Sequence, residues 1–104
     1  ELAISTEIDH NLHTGRILTG DQFLSKKELN QYDYLTQELN GDAVEMEGAA
    51  VAQVCTINEI PFLIVRTISD KANEEASVNF NNLLPEIAKN SFLIVHHILN
   101  NFTK

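Results

Sequence analysis

Residues 61–69 constrain the fold of this 104-residue chain more than any other stretch. Their sequence, PFLIVRTIS, is nearly continuous in apolar and β-branched residues and is interrupted by a single charge at Arg66. This pattern is typical of a strand that is covered on both faces, as in parallel sheets flanked by helices. The chain is therefore expected to fold as an α/β structure.

The rest of the chain alternates strand and helix patterns, an order that predicts a parallel or mixed sheet covered by helices. Ser25 and Glu28 have the spacing of a helix capping box, and Asn40-Gly41 is expected to end that helix, since glycine tolerates the left-handed conformation at a C-cap. Pro85 is expected to lie in the first turn of the last helix or to kink it. Three short strands would leave long hydrophobic edges, so we expect a larger α/β domain or a partner to complete the sheet. The predicted strands lie near 14–20, 42–46 and 61–69, and the predicted helices near 25–39, 47–58 and 79–102.

Composition and charge exclude several classes of function. The chain has 7 Lys and Arg against 15 Asp and Glu, a net charge of −8, which argues against binding to nucleic acid or to an anionic membrane. No apolar run approaches the roughly 18 residues of a membrane-spanning helix. The single cysteine, Cys55, forms no internal disulfide or cysteine zinc site and is expected in the core. Because His10 and His13 lack a third ligand at matching spacing, and no Gly-rich phosphate loop occurs, we expect no metal and no cofactor.

Polar residues follow each predicted strand. Glu45 and Glu47 come at the end of the second strand, Ser69 and Asp70 at the end of the third, and Phe23 lies just after the first. Ligands of open α/β sheets bind beyond the carboxyl ends of the strands, so these residues form a candidate pocket. Each also has a purely structural interpretation: Glu47 as a favourable charge at a helix N-terminus, Asp70 as a cap, and Phe23 as a core aromatic.

Arg66 is harder to explain as a structural residue alone. A guanidinium cannot lose its proton, so its burial within an apolar strand requires an acidic partner. Glu45 and Glu47 are the natural candidates, and a buried Arg–Glu arrangement beside Asp70 indicates a functional site.

Two segments, VEMEGAAVA at 44–52 and PFLIVRTISD at 61–70, resemble the 5′-methylthioadenosine/S-adenosylhomocysteine nucleosidases of the nucleoside phosphorylase superfamily. The sequence GDQF at 20–23 also matches the purine-pocket loop of that family, and the resemblance extends from about residue 16 to the end. It implies a three-layer αβα sandwich with a mixed central sheet. Within that fold, residues 1–104 would form the C-terminal portion of a single domain.

The resemblance also implies catalytic roles for three residues. Asp70 corresponds to the acid that protonates or hydrogen-bonds purine N7 as the glycosidic bond breaks, a task that requires a carboxyl with a raised pKa. Ser69 would orient Asp70, and Arg66 would lie near the attacking water. Glu45, beside Arg66, is assigned to the substrate pocket.

Five further residues are implied in substrate binding. Phe23 would stack on adenine, while the backbone of Leu24 would recognise the adenine edge. Glu47 would hold the ribose hydroxyls, with Met46 packed on the sugar. Phe80 would line the pocket for the alkylthio group.

The activity implied is that of an N-glycosidase, a hydrolase that releases adenine and the thioribose product from methylthioadenosine or adenosylhomocysteine. The resemblance further implies a cytoplasmic homodimer that acts in methionine salvage on a small-molecule nucleoside. The family's general base is a glutamate in the N-terminal portion of the domain, and no residue here matches it. We therefore expect the 104-residue chain alone to be inactive.

Two alternatives remain open at this stage. Purine nucleoside phosphorylases share similar Val-Glu-Met-Glu and Ser-Asp patterns, but they carry an arginine after the Ser-Asp pair. Here no arginine follows Asp70, and Arg66, four residues before it, fits the nucleosidase pattern. The other alternative is a non-catalytic nucleoside-binding remnant that lacks the general base. The sequence does not rank the two thioether substrates.

Overall fold

The computed structural model describes residues 11–68 and 76–102, and the side chains of the last helix from residue 82 onward. Within these residues the chain has mixed helix and strand content. The elements are β1 (Ile17–Thr19), α1 (Lys26–Gln31), α2 (Tyr34–Gln37), β2 (Ala43–Glu45), α3 (Gly48–Ile57) and α4 (Ala76–Phe102).

The two strands form a parallel pair in which Thr19 lies opposite Glu45. Before the strands, Arg16 and Asp42 are joined by two hydrogen bonds: the Arg16 amide donates to Asp42 Oδ2 and the Asp42 amide donates to the Arg16 carbonyl, both over 2.8 Å. After them, the Gly20 amide donates to the Glu45 carbonyl over 3.0 Å. The predicted strands near 14–20 and 42–46 and their parallel arrangement are confirmed, with shorter bounds.

The helix predicted over 25–39 is two short helices, because the backbone leaves the helical region at Tyr32 (φ −113°, ψ 49°). The predicted pairing of Ser25 with Glu28 is present: the Glu28 carboxylate accepts hydrogen bonds from the amide (3.0 Å) and the hydroxyl of Ser25. The helical region ends before Asn40 and Gly41 as predicted, but the left-handed residue there is Asn40 (φ 52°) and not Gly41. Asparagine is one of the few residues that tolerate this conformation.

Gly41 is required for a different reason. A Cβ atom at this position would collide with the side chain of Leu18 and lie 3.1 Å from the carbonyl oxygen of Leu35. The absence of a side chain therefore lets the chain enter β2 in close contact with β1 and α2.

The two longer helices lie where they were predicted, with one correction. α3 contacts β1, and α4 begins three residues before the expected position 79. Pro85 consequently lies inside α4 and not in its first turn. Since proline has no N–H, one helical hydrogen bond is missing there. Neither these helices nor the others in the described part of the chain are long and apolar enough to cross a membrane.

Residues 61–68 were predicted as a strand, and this prediction is wrong for the structure described: they have no regular secondary structure. A strand exists only when a neighbour accepts and donates its ladder hydrogen bonds, and no backbone hydrogen bond joins this segment to another described segment. Its apolar side chains remain outside the core, with Leu63 61% exposed. The hydroxyls of Thr67 and Ser91, 2.8 Å apart, connect the segment to α4.

The core of the described residues is small. Ile94 in α4, 8% exposed, is the one hydrophobic side chain among them that is buried. Cys55 is half-buried, so its predicted place in a core is met only in part. Large apolar residues on α3 and α4, among them Val54, Phe92 and Leu99, are exposed.

Candidate functional site

The candidate site lies where β1 and β2 end and α3 begins. Glu45 is the last residue of β2, Glu47 is the N-cap of α3, and Gly48 is the first helical residue. Parallel pairing brings Thr19, the last residue of β1, opposite Glu45. The carboxyl ends of both strands therefore meet the free amide groups at the N-terminus of α3.

The carboxylate of Glu45 is held from several sides. Its Oε2 accepts the amides of Gly48 (2.7 Å) and Glu47 (3.1 Å), and its Oε1 also lies 2.9 Å from the Gly48 amide. The hydroxyl of Thr19 and Nη2 of Arg66 complete this set of donors. A Cβ at position 48 would lie 2.9 Å from Oε1, so only glycine leaves room for the carboxylate.

Thr19 was not predicted as a site residue. Its hydroxyl donates to Oε1 of Glu45 and accepts the amide of Ala49 over 2.9 Å. One sequence signal could have identified it: a hydroxyl residue ends the strand that pairs with the strand ending in Glu45.

Arg66 binds both glutamates, as the sequence predicted. Its Nη2 contacts Oε2 of Glu45 and lies 2.7 Å from Oε2 of Glu47. The predicted burial is wrong for two of the three side chains: Glu45 is 10% exposed, but Arg66 is 39% and Glu47 70% exposed. Arg66 extends from the irregular segment 61–68, most of whose residues are exposed, and its side chain also reaches solvent.

The contacts also set the charge of the cluster. Burial raises the pKa of Glu45, but hydrogen bonds from Thr19, Arg66 and the amides of Glu47 and Gly48 outweigh it and lower the pKa to about 2. The hydrogen bond to Glu45 in turn raises the pKa of Arg66, with a smaller contribution from Glu47 and an opposing effect of burial. Glu45 is therefore ionised at neutral pH, and its negative charge faces the Arg66 guanidinium.

This arrangement assigns different chemistry to the two glutamates. The oxygens of Glu45 are occupied by protein donors, whereas Glu47 is exposed and has one described partner, Arg66. A carboxylate in that state can accept hydrogen bonds from two adjacent hydroxyls and stabilise positive charge on a bound molecule. The described residues contain no group of three His, Cys, Asp or Glu side chains that could hold a metal ion.

Three predicted substrate-binding residues lie on the adjoining loops. Phe23 and Leu24 follow β1 in the loop that begins at Gly20; Phe23 is 56% exposed and Leu24 is half-buried. Met46 is exposed between the two glutamates. Phe23 is thus not a core aromatic in the described structure, and the substrate contacts of these residues stay predictions.

The side chains of the remaining three predicted site residues lie outside the described part of the chain. Ser69 and Asp70 lie outside the described residues, directly after the segment that carries Arg66. Phe80 lies in α4, and its side chain is outside the described part. Their roles likewise stay predictions.

The chain is similar to known proteins over most of its length. The family model described as phosphorylase superfamily matches residues 2–100. The chain is 42% identical over 88 residues to a 5′-methylthioadenosine/S-adenosylhomocysteine nucleosidase of Mycobacterium bovis, covering 85% of this chain and 34% of that protein. It is 40% identical over 90 residues to a nucleosidase of the same name from Psychromonas ingrahamii, covering 84% of this chain and 37% of that protein.

A relative with a different name is equally similar. The chain is 40% identical over 93 residues to an aminodeoxyfutalosine nucleosidase of Helicobacter pylori, covering 86% of this chain and 39% of that protein. The chain thus spans between a third and two fifths of the length of these relatives. No solved structure matches it.

Proposed function

This chain belongs to the phosphorylase superfamily, and we propose that the whole protein containing it is a nucleosidase that hydrolyses the N-glycosidic bond of 5′-methylthioadenosine and S-adenosylhomocysteine. The observation that carries the proposal is the exposed carboxylate of Glu47, bound to Arg66 at the strand ends. Relatives about 40% identical to this chain are named for that activity.

Glu47 acts on the ribose in this proposal. The 2′- and 3′-hydroxyls donate to its carboxylate, and Met46 packs against the sugar. As the bond to the base breaks, positive charge develops on the sugar, and the negative charge of Glu47 stabilises it. Arg66 keeps the carboxylate in place and lies near the attacking water.

Bond cleavage requires the purine to leave with the bonding electron pair. Asp70, oriented by Ser69, protonates or hydrogen-bonds N7, so that the base leaves as neutral adenine. Water attacks C1′ and loses its proton to the family's general base, a glutamate in the part of the domain that this chain does not match. Phe23 stacks on adenine, the backbone of Leu24 recognises its edge, and Phe80 lines the pocket for the alkylthio group.

The broader context belongs to the same proposal. The chain forms the C-terminal portion of a single domain, a three-layer αβα sandwich with a mixed central sheet. The whole protein is a cytoplasmic homodimer that acts in methionine salvage, and the 104-residue chain alone is inactive. The exposed apolar side chains of residues 61–68 and the greater length of the relatives support this view.

The test is adenine release by the whole protein from methylthioadenosine, adenosylhomocysteine and aminodeoxyfutalosine, with and without phosphate. The third substrate is included because a relative of equal similarity is named for it. We expect hydrolysis of at least one thioether nucleoside at a rate that phosphate does not change. A higher kcat/KM for aminodeoxyfutalosine than for both thioethers would replace the proposed substrate.

Two other outcomes would contradict the proposal. A requirement for phosphate, with accumulation of ribose 1-phosphate or its thioether analogue, would identify a phosphorylase. Binding of nucleosides without cleavage by the whole protein would identify a non-catalytic nucleoside-binding protein.

A further inference from the structure

The geometry points to Thr19 as a positioning residue that aligns Glu45, and through it Arg66 and Glu47, for the sugar of a bound nucleoside. This inference rests on the proposed function for its catalytic consequence. The placement of Glu45 by Thr19 can be measured independently of activity.

The hydroxyl of Thr19 makes two hydrogen bonds, one as an acceptor and one as a donor. It accepts the amide hydrogen of Ala49, in the first turn of α3, over 2.9 Å. Because that amide occupies one lone pair, the hydroxyl proton is directed away from α3, toward Oε1 of Glu45. The β-branched side chain restricts rotation about χ1 and so favours this arrangement.

The second step concerns which donors contact each carboxylate oxygen of Glu45. Thr19 and the Gly48 amide contact Oε1, while Arg66 and the amides of Glu47 and Gly48 contact Oε2. With Oε1 held by Thr19, Oε2 presents a defined acceptor to Nη2 of Arg66. Without the hydroxyl, Oε1 keeps only the Gly48 amide among these donors, and because that amide also contacts Oε2, the carboxylate is free to turn and Oε2 shifts relative to Arg66.

The third step connects Glu45 to the exposed carboxylate. Nη2 of Arg66 contacts both glutamates, so the position of Arg66 at Glu45 determines where it meets Glu47. Glu47 is the more exposed of the two and depends on this contact for its orientation. Loss of the Thr19 hydroxyl therefore shifts the Glu47 carboxylate, which binds the sugar, although Thr19 itself does not touch the substrate.

The experiment compares Thr19→Val, which keeps the shape and removes the hydroxyl, with Thr19→Ser, which keeps the hydroxyl. Thr36→Val is the matched control, because the Thr36 hydroxyl donates to the Asp33 carbonyl in α2, away from this cluster. The Glu45 side-chain carboxyl is titrated by carbon-13 NMR in each whole protein. The kcat and KM for methylthioadenosine are measured in parallel.

In Thr19→Val, we expect the pKa of Glu45 to rise by roughly one pH unit, because one charge-assisted hydrogen bond is lost. We also expect kcat to fall roughly 10-fold, with a smaller change in KM, since the misplacement acts on the transition state. Thr19→Ser and Thr36→Val should retain the titration and the turnover of the unmodified protein.

The outcomes separate this inference from the proposed function. If the unmodified protein cleaves no nucleoside, the proposed function fails, and the NMR titration still decides whether Thr19 holds Glu45. An unchanged pKa of Glu45 in Thr19→Val, or equal impairment in Thr19→Ser, overturns the inference. It is also overturned if Thr19→Val does not fold while Thr19→Ser does, because the hydroxyl is then a structural bond.

Discussion

Replacement of Glu45 by glutamine tests the central feature of the site, a carboxylate surrounded by donors. The carboxylate accepts from Thr19, Arg66 and the amides of Glu47 and Gly48. An amide of the same size has one accepting end and one donating end. In either orientation its NH2 group faces at least one of these donors. The two facing donors then have no acceptor between them, at a side chain that is only 10% exposed.

The size of the effect follows from the pKa of Glu45. Folding lowers it from 4.5 to about 2. At 1.36 kcal/mol per unit, this corresponds to about 3 kcal/mol of stability at neutral pH, and solvent screening of the partly exposed Arg66 reduces the figure to about 2 kcal/mol. Because the folded pKa is the lower one, this stability is fully present above pH 4.5 and is lost as the pH falls toward 2.

The assay is urea unfolding of the whole protein at pH 7 and at intervals down to pH 2.5. We expect Glu45→Gln to lower the free energy of unfolding by about 2 kcal/mol at pH 7, and the difference from the unmodified protein to shrink below pH 4. Glu47→Gln is the matched control: it removes the exposed half of the same ion-pair cluster and should cost less than about 1 kcal/mol. If both variants cost the same, or if the Glu45→Gln difference is independent of pH, the reasoning is refuted.

Three further predictions concern catalysis and packing. Asp70→Asn keeps the size but removes the transferable proton, so kcat for methylthioadenosine should fall by roughly 10²–10⁴ with little change in KM, and a nucleoside whose base leaves without protonation should restore turnover. Near-normal turnover would show that Asp70 is only a cap. Glu47→Gln should raise KM and lower kcat together, and the same nucleoside should not rescue it; selective rescue would remove Glu47 from the sugar site. Gly41→Ala should destabilise the protein by about 1–3 kcal/mol in the same unfolding assay, because the new methyl group meets Leu18. Gly20→Ala, with no atom near its Cβ, should change the free energy of unfolding by no more than about 0.5 kcal/mol. Equal losses of stability in the two variants would contradict the packing argument.

Local patterns predicted most of the elements. Hydrophobic periodicity located α4, because side-chain burial on one face repeats at the period of the element. The local sequence also predicted α3 and the strands near 14–20 and 42–46. The pairing of Ser25 with Glu28 was predictable because the two residues lie three positions apart at the start of a helix, and their contact depends on no distant part of the chain.

Features that depend on a neighbour in space were not predictable in this way. Residues 61–68 have the composition of a covered strand, but a strand also requires a hydrogen-bonding partner, and composition does not supply one. The break at Tyr32 and the left-handed Asn40 likewise reflect how the connection returns to β2 beside Leu18.

At the candidate site, the sequence by itself determined that Arg66 would meet Glu45 and Glu47. Arg66 keeps its charge in any environment, and two glutamates at the end of the preceding strand are its natural partners. The tertiary structure alone decided how the glutamates differ. They are two residues apart and chemically identical, and they differ in their surroundings: the nearby amides of Glu47 and Gly48 and the distant hydroxyl of Thr19 all donate to Glu45. Thr19, 26 residues from Glu45, fixes one carboxylate in a donor cage, while Glu47 is left exposed to solvent.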